Sequence, residues 1–165
     1  MTKPPIAFIS YSWDSPEHRD WVRKLADYLV ENGVEVILDQ YDLETGKNLV
    51  QFMETGVAKA DVILIICTPN YKTKSIDRKG GTGAEYSMIS QNIFDLKDKR
   101  FIPILRHPER EISIPEFLAP IVFHSMVDDD LFNSNAYELL RIIHEEPEHM
   151  KPKLGEKPDF SKSGV

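Results

Sequence analysis

The chain has 165 residues, 41% of them apolar and 28% charged, which suits one domain with its own core and a well-solvated surface. A net charge of −7 excludes a general DNA or RNA binder, because phosphate backbones require a basic face. The single cysteine excludes an internal disulfide and fits a reducing compartment, and no apolar run approaches the roughly 18 residues that span a membrane. With no charged segment leading into a long apolar one at the start, no secretory signal is read and a cytoplasmic setting is expected.

Ile6-Ala7-Phe8-Ile9 is a short apolar run of strand type that ends at Ser10-Tyr11-Ser12. Ser15-Pro16 then opens a helix, with serine as the N-cap and proline at the first helical position. Trp21, Val22, Leu25, Tyr28 and Leu29 repeat at helical spacing, and Asn32-Gly33 closes the segment. Val34 to Leu38 forms the second strand, ending at Asp39. A polar loop from Gln40 to Lys47 follows, with Gly46 as its turn. Leu49, Phe52, Met53 and Val57 make the stripe of a second helix.

Val62-Ile63-Leu64-Ile65-Ile66 is apolar at every position, as a strand buried on both faces must be. A basic, glycine-bearing loop is expected from Pro69 to Gly83, before a third helix carrying Met88, Ile89 and Ile93. Phe101 to Leu105 is the fourth strand, and Pro103 puts it close to an edge. Ile121-Val122-Phe123 is expected as the fifth strand. A last helix carries Leu131, Leu139, Leu140, Ile142 and Ile143. Residues 147–165, with Pro147, Pro152 and Pro158 and little apolar content, read as a linker or tail beyond a domain of residues 1–146.

Strands alternating with helices predict an α/β fold. Right-handed crossovers give a flavodoxin-like three-layer sandwich on a five-stranded, mostly parallel sheet in the order 2-1-3-4-5. Such sheets bind ligands outside the carboxyl ends of their strands, where the strand order reverses. Ser10, Tyr11 and Ser12 fall there after the first strand, Cys67, Thr68 and Pro69 after the third, with Asp39 alongside. Arg78, Lys79, Gly80, Gly81 and Glu85 follow from the next loop.

Glu85 carries two readings. Thr82-x-x-Glu85 fits a capping box, in which the carboxylate bonds back to the Thr82 amide. Alternatively, it is an ionised carboxylate at the mouth of the crevice, favoured by a helix N-terminus and suited to a cationic sugar transition state. Lys72, Lys74, Arg78 and Lys79 either meet a phosphate or form a solvated loop. Asp39 either caps the following turn or meets a ribose hydroxyl. Asp14 and Asp39 hint at a phosphoacceptor pocket, but the third strand ends in Cys67-Thr68, where that chemistry needs an aspartate.

The P-loop pattern is absent. Cys67 reads as a small core residue with no histidine partner. His144 and His149 are spaced badly for one metal, and Asp128-Asp129-Asp130 reads as a helix start, so no metal site is expected.

Phe8-Ile9-Ser10-Tyr11-Ser12 resembles the first-strand signature of TIR domains. His18-x-x-Trp21-Val22-x-x-Leu25-Ala26 and Gly33 to Leu43 resemble the SEFIR subgroup. Ala60-Asp61, Cys67-Thr68-Pro69-x-Tyr71 and the block from Arg78 to Glu85 are similar to bacterial members.

The resemblance implies one of two roles. Many TIR domains cleave NAD at the nicotinamide–ribose bond, with NAD as substrate and no cofactor besides. Others are interaction modules without chemistry. Beside these two roles, a nucleotide sensor that binds without cleaving is a separate, third hypothesis. For the enzyme, the resemblance assigns Glu85 as the catalytic carboxylate. It sets Ser10, Tyr11 and Asp39 around nicotinamide and ribose, and Arg78 and Lys79 at the diphosphate. Thr82, Gly83 and Ala84 depart from the aromatic and cysteine that usually precede the glutamate. The BB loop, with Gln40, Tyr41, Asp42, Leu43 and Gly46, implies homotypic assembly that switches activity on. Neither nucleic acid nor membrane is an expected partner. A covalently linked sensor domain and a role in prokaryotic antiphage defence complete the expectation.

Overall fold

The computed structural model describes residues 3–76 and 99–162. Five strands form one sheet in the order β2-β1-β3-β4-β5, every neighbouring pair parallel. They are β1 (Ile6–Ser10), β2 (Glu35–Ile37), β3 (Val62–Cys67), β4 (Arg100–Leu105) and β5 (His124–Ser125). The expected reversal of strand order between β1 and β3 is therefore present.

All six residues of β3 are buried, which explains its unbroken apolar run. Layers cover both faces. One core packs Trp21, Leu25 and Leu29 of α1 (Pro16–Glu31) and Leu139 and Ile143 of α5 (Phe132–His144) on Ala7, Ile9, Leu64 and Ile104. The other packs Met53 and Val57 of α3 (Leu49–Lys59) and Tyr71 of α4 (Pro69–Ile76) on Phe8, Ile63 and Ile65.

Helix α1 begins as its sequence dictates. Ser15 is extended and its Oγ accepts the His18 amide at 3.1 Å. It ends at Gly33, whose φ of 89° is the left-handed geometry that closes the helix without a Cβ clash. Gly56 answers a different need: a Cβ there would stand 2.7 Å from the Phe8 ring, so α3 can lie this close to β1 only with glycine.

Three expectations are corrected. The segment after Asp39 is not all loop: α2 (Asp39–Asp42) is a helical turn, held because the Leu38 carbonyl accepts the Asp42 amide and the Asp42 carboxylate accepts the Leu38 amide. The first residues of the expected basic loop are helix α4, because Thr68 Oγ accepts the Tyr71 amide at 3.2 Å and Pro69 follows it.

The fifth strand is at His124–Ser125, not at Ile121–Phe123. Val122 is 90% exposed, and pairing starts at His124 opposite Ile104 and ends where the Leu105 carbonyl receives the Met126 amide. Pro103 is paired in register with Ile65 but lies outside the two β4 residues that β5 covers, which is how an inner strand tolerates it. The expected third helix at Met88, Ile89 and Ile93 lies outside the described residues.

Candidate functional site at the sheet switch point

Strand β1 delivers Ser10, Tyr11 and Ser12 to the reversal point, all three buried. Tyr11 faces the α1 side, and its hydroxyl crosses to the end of β2 to donate to Asp39 Oδ1 at 2.8 Å. Asp39 Oδ1 also accepts its neighbour's amide, Gln40 N, at 2.8 Å, and Oδ2 accepts the Trp13 indole N–H at 2.9 Å. Three donors thus satisfy a carboxylate that is only 6% exposed, as a buried charge requires. Burial first, then the Asp39 charge, raises the Tyr11 phenol above its ordinary range, so it stays a protonated donor. Gln40 Nε2 completes the corner, donating to the Tyr11 hydroxyl at 3.0 Å and to the Arg19 carbonyl at 2.9 Å.

A second set of bonds ties β1 to the end of β3. Ser10 Oγ and the Tyr71 hydroxyl lie 2.8 Å apart. Ser12 Oγ donates to Asp14 and lies 3.3 Å from Thr68 Oγ. Asn70 Nδ2 donates to Asp14 Oδ1 at 2.8 Å. The polar residues that follow two neighbouring parallel strands are therefore joined by side chains at the point where the chain itself diverges to opposite faces.

Behind this corner, His18 stacks on Trp21 with ring centres 6.4 Å apart. The Arg106 guanidinium lies 4.4 Å from the Trp21 ring, held by the Met126 and Val127 carbonyls and by Asp129. Burial lowers the His18 pKa; Asp14 opposes that and Arg106 adds to it. His18 Nε2 and Trp21 Nε1 have no hydrogen-bond partner among the described residues.

Of the expected residues, the structure joins Tyr11 to Asp39 directly, while Ser10 turns to Tyr71. Of the two readings of Asp39, the structure shows the turn: its Oδ1 accepts the Gln40 amide at the start of α2. Of the BB-loop residues, Gln40 joins the site. Tyr41 turns to α1, where its hydroxyl meets Asp27. Asp42 closes α2, Leu43 follows it, and Gly46 makes a turn with φ of 94°. Arg78, Lys79 and Glu85 lie outside the described residues.

Trp13, Asn70, Tyr71 and Arg106 were not read as site residues. Their signal was positional: each stands within a few residues of the carboxyl end of β1, β3 or β4. Cys67 is fully buried, its thiol pushed up to about 12 by burial, so it is an inert core group. Among the described residues, no three His, Cys, Asp or Glu side chains cluster to hold a metal, and no helix is long and apolar enough to cross a membrane. A groove of about 710 Å³ runs elsewhere, along the outer edge of β2, lined by Asp42, Lys47, Gln51 and Lys59 among others.

A parallel sheet in this order, covered by helices on both faces, defines a flavodoxin-like α/β domain. The TIR domain family model matches residues 7–141, and the chain belongs to that family.

A solved prokaryotic SEFIR domain is 38% identical with a TM-score of 0.73, over 84% of this chain and 98% of that one. The TIR domain of the Toll-related receptor TRR-2 from Hydra magnipapillata superposes with a TM-score of 0.60 at 19% identity, over 84% of this chain and 97% of that one. The TIR domains of the activated Roq1 resistosome superpose with a TM-score of 0.57 at 13% identity, over 86% of this chain and 98% of that one. These last two speak for the fold alone. The chain is also 34% identical over 74 residues to the 2′ cyclic ADP-D-ribose synthase BtTIR of Bacteroides thetaiotaomicron. That match covers 45% of this chain and a quarter of the relative's length.

Proposed function

We propose that this TIR domain cleaves the nicotinamide–ribose bond of NAD. The observation that carries the reading is the Tyr11–Asp39 pair at the carboxyl end of a parallel sheet, at the reversal of strand order where such folds take their ligands. The partial match to a cyclic ADP-ribose synthase supports the substrate class, since that product retains every part of NAD except nicotinamide.

The glycosidic C–N bond breaks with its electron pair passing to the nicotinamide nitrogen. The positively charged ring thereby leaves neutral and needs no general acid, unlike a sugar leaving group in ordinary glycoside hydrolysis. Water takes the ribosyl cation and loses a proton to solvent, or a hydroxyl of the ADP-ribose itself closes a cyclic product. In this proposal Glu85 supplies the carboxylate that holds the ribose hydroxyls and stabilises the cation, and Arg78 and Lys79 meet the diphosphate. No cofactor takes part.

Activation by homotypic assembly through the BB loop, a sensor domain joined through the tail of residues 147–165, and an antiphage role belong to the same proposal.

A second reading has its own observation. All the donors at Asp39 come from the protein, so the corner can serve as a purely structural clasp in an interaction module. NAD consumption by the purified protein at high concentration with a crowding agent separates the two. The enzyme reading expects nicotinamide release by the wild type and none by Glu85→Gln with an intact fold. Equal release by both removes Glu85 from the mechanism, and none from assembled wild type favours the module.

A further inference from the structure

We propose that Trp13, backed by Arg19, is the platform on which the adenine base of the nucleotide stacks; this rests on reading the switch-point corner as a nucleotide site. Trp13 lies three residues beyond the end of β1 and is 39% exposed, a large aromatic surface left open beside a buried polar corner. Two contacts fix it. The indole N–H is spent on Asp39 at 2.9 Å, and the Arg19 guanidinium stands 5.1 Å from the ring centre on one face. An exposed tryptophan normally samples several rotamers. One bolted at its nitrogen edge and backed by a planar cation presents a set plane, so a base stacking on it loses little further freedom.

The charges select which base. NAD offers a cationic nicotinamide and a neutral adenine. Arginine keeps its charge at any working pH, so one face of the indole quadrupole is already occupied by a cation. A second cation on the opposite face would meet that charge across the thickness of one ring. Adenine meets no such repulsion, and its broad π-face stacks without sequence-like recognition. Asp39, on the inner side of Trp13, supplies the negative charge that the nicotinamide end prefers. The nucleotide is thereby oriented with adenine on Trp13 and its nicotinamide end away from Arg19.

The test uses AMP and nicotinamide mononucleotide as separate probes in calorimetric titrations of the full chain. AMP should bind the wild type and quench its tryptophan emission, since Trp13 is one of only two tryptophans and the other, Trp21, is buried. Trp13→Ala should weaken AMP about tenfold, the scale of one lost stacking contact, while Trp13→Phe recovers most of it. Trp13→Ala should weaken nicotinamide mononucleotide less than it weakens AMP. Arg19→Ala should shift preference toward nicotinamide mononucleotide, an effect that a merely structural Trp13 would not produce.

Unchanged AMP affinity in Trp13→Ala, with native emission from Trp21, overturns the proposal, as does absence of AMP binding to the wild type. AMP binding through Trp13 without NAD turnover leaves the platform standing and removes the hydrolase reading instead.

Discussion

The Tyr11 hydroxyl and Asp39 Oδ1 meet at 2.8 Å across 28 residues of sequence, joining the end of β1 to the start of α2. Both groups are buried, so each is the other's replacement for water. The bond sets the position from which the segment Gln40 to Lys47 departs. The polar corner of the site and the geometry of the BB loop are consequently one unit.

Tyr11→Phe keeps the ring and removes the hydroxyl. Asp39 retains Trp13 and Gln40 as donors, and Gln40 Nε2 retains the Arg19 carbonyl. The expected cost is about 1–3 kcal/mol of folding stability, the range for a buried acceptor left one donor short. Urea denaturation checks it, and a midpoint within error of the wild type would show that solvent replaces the phenol.

His18 predicts the acid limb of stability. Its folded pKa lies below the ordinary 6.5 because of burial first, with Asp14 opposing and Arg106 reinforcing; Arg106 is itself paired with Asp129. Below about pH 6.5 the unfolded chain takes up a proton at this site that the folded chain resists. Stability contributed by neutral His18 is therefore present above that pH and is lost as pH falls from there toward the folded value. The thermal midpoint should decline through this window in the wild type and decline less in His18→Gln. Parallel curves for the two proteins would assign the acid limb to the carboxylates.

Local signals made much of this fold legible. Val62 to Ile66 reads as a strand buried on both faces and Ser15-Pro16 as a helix start, and both are found so. Thr68-Pro69 carries the same cap-and-proline signature as Ser15-Pro16, yet Gly80, Gly81 and Gly83 further on drew the segment toward a loop. Ile121 to Phe123 has strand composition, but the ladder with β4 forms at His124 and Ser125, opposite Ile104 and Leu105. The corner itself was legible only as a neighbourhood. Topology brings Tyr11 and Asp39 together, while the reach of Trp13 to Asp39, or of Asn70 to Asp14, depends on rotamers that no spacing encodes.

Thr68 joins two functions in one oxygen. It accepts the Tyr71 amide at the start of α4 and stands 3.3 Å from Ser12 Oγ on β1. Thr68→Ala should cost about 1 kcal/mol, the usual size of a lost N-cap. Thr68→Ser should restore most of it. Since Tyr71 pairs with Ser10, loosening α4 should also raise hydrogen exchange at Tyr71. Exchange there unchanged in the alanine variant would show that the rest of α4 holds Tyr71 without its cap.

Gly56 tests whether α3 is locked to the sheet. A Cβ added there meets Phe8 Cδ2 and Cε2 at 2.7 Å and Ile37 Cγ2 at 3.2 Å. Phe8 is fully buried in the centre of β1, so its ring cannot swing into open space. Helix propensity favours alanine over glycine by about 1 kcal/mol, whereas overpacking costs about 1–3 kcal/mol. The steric effect wins because the obstacle is a buried ring rather than a flexible tip. Gly56→Ala should therefore lower the denaturation midpoint. The shorter partner in Gly56→Ala/Phe8→Leu should recover part of the loss, which a purely backbone effect at residue 56 would not allow. A midpoint raised by Gly56→Ala alone would mean that α3 slides outward freely, and with it the BB loop that leads into it.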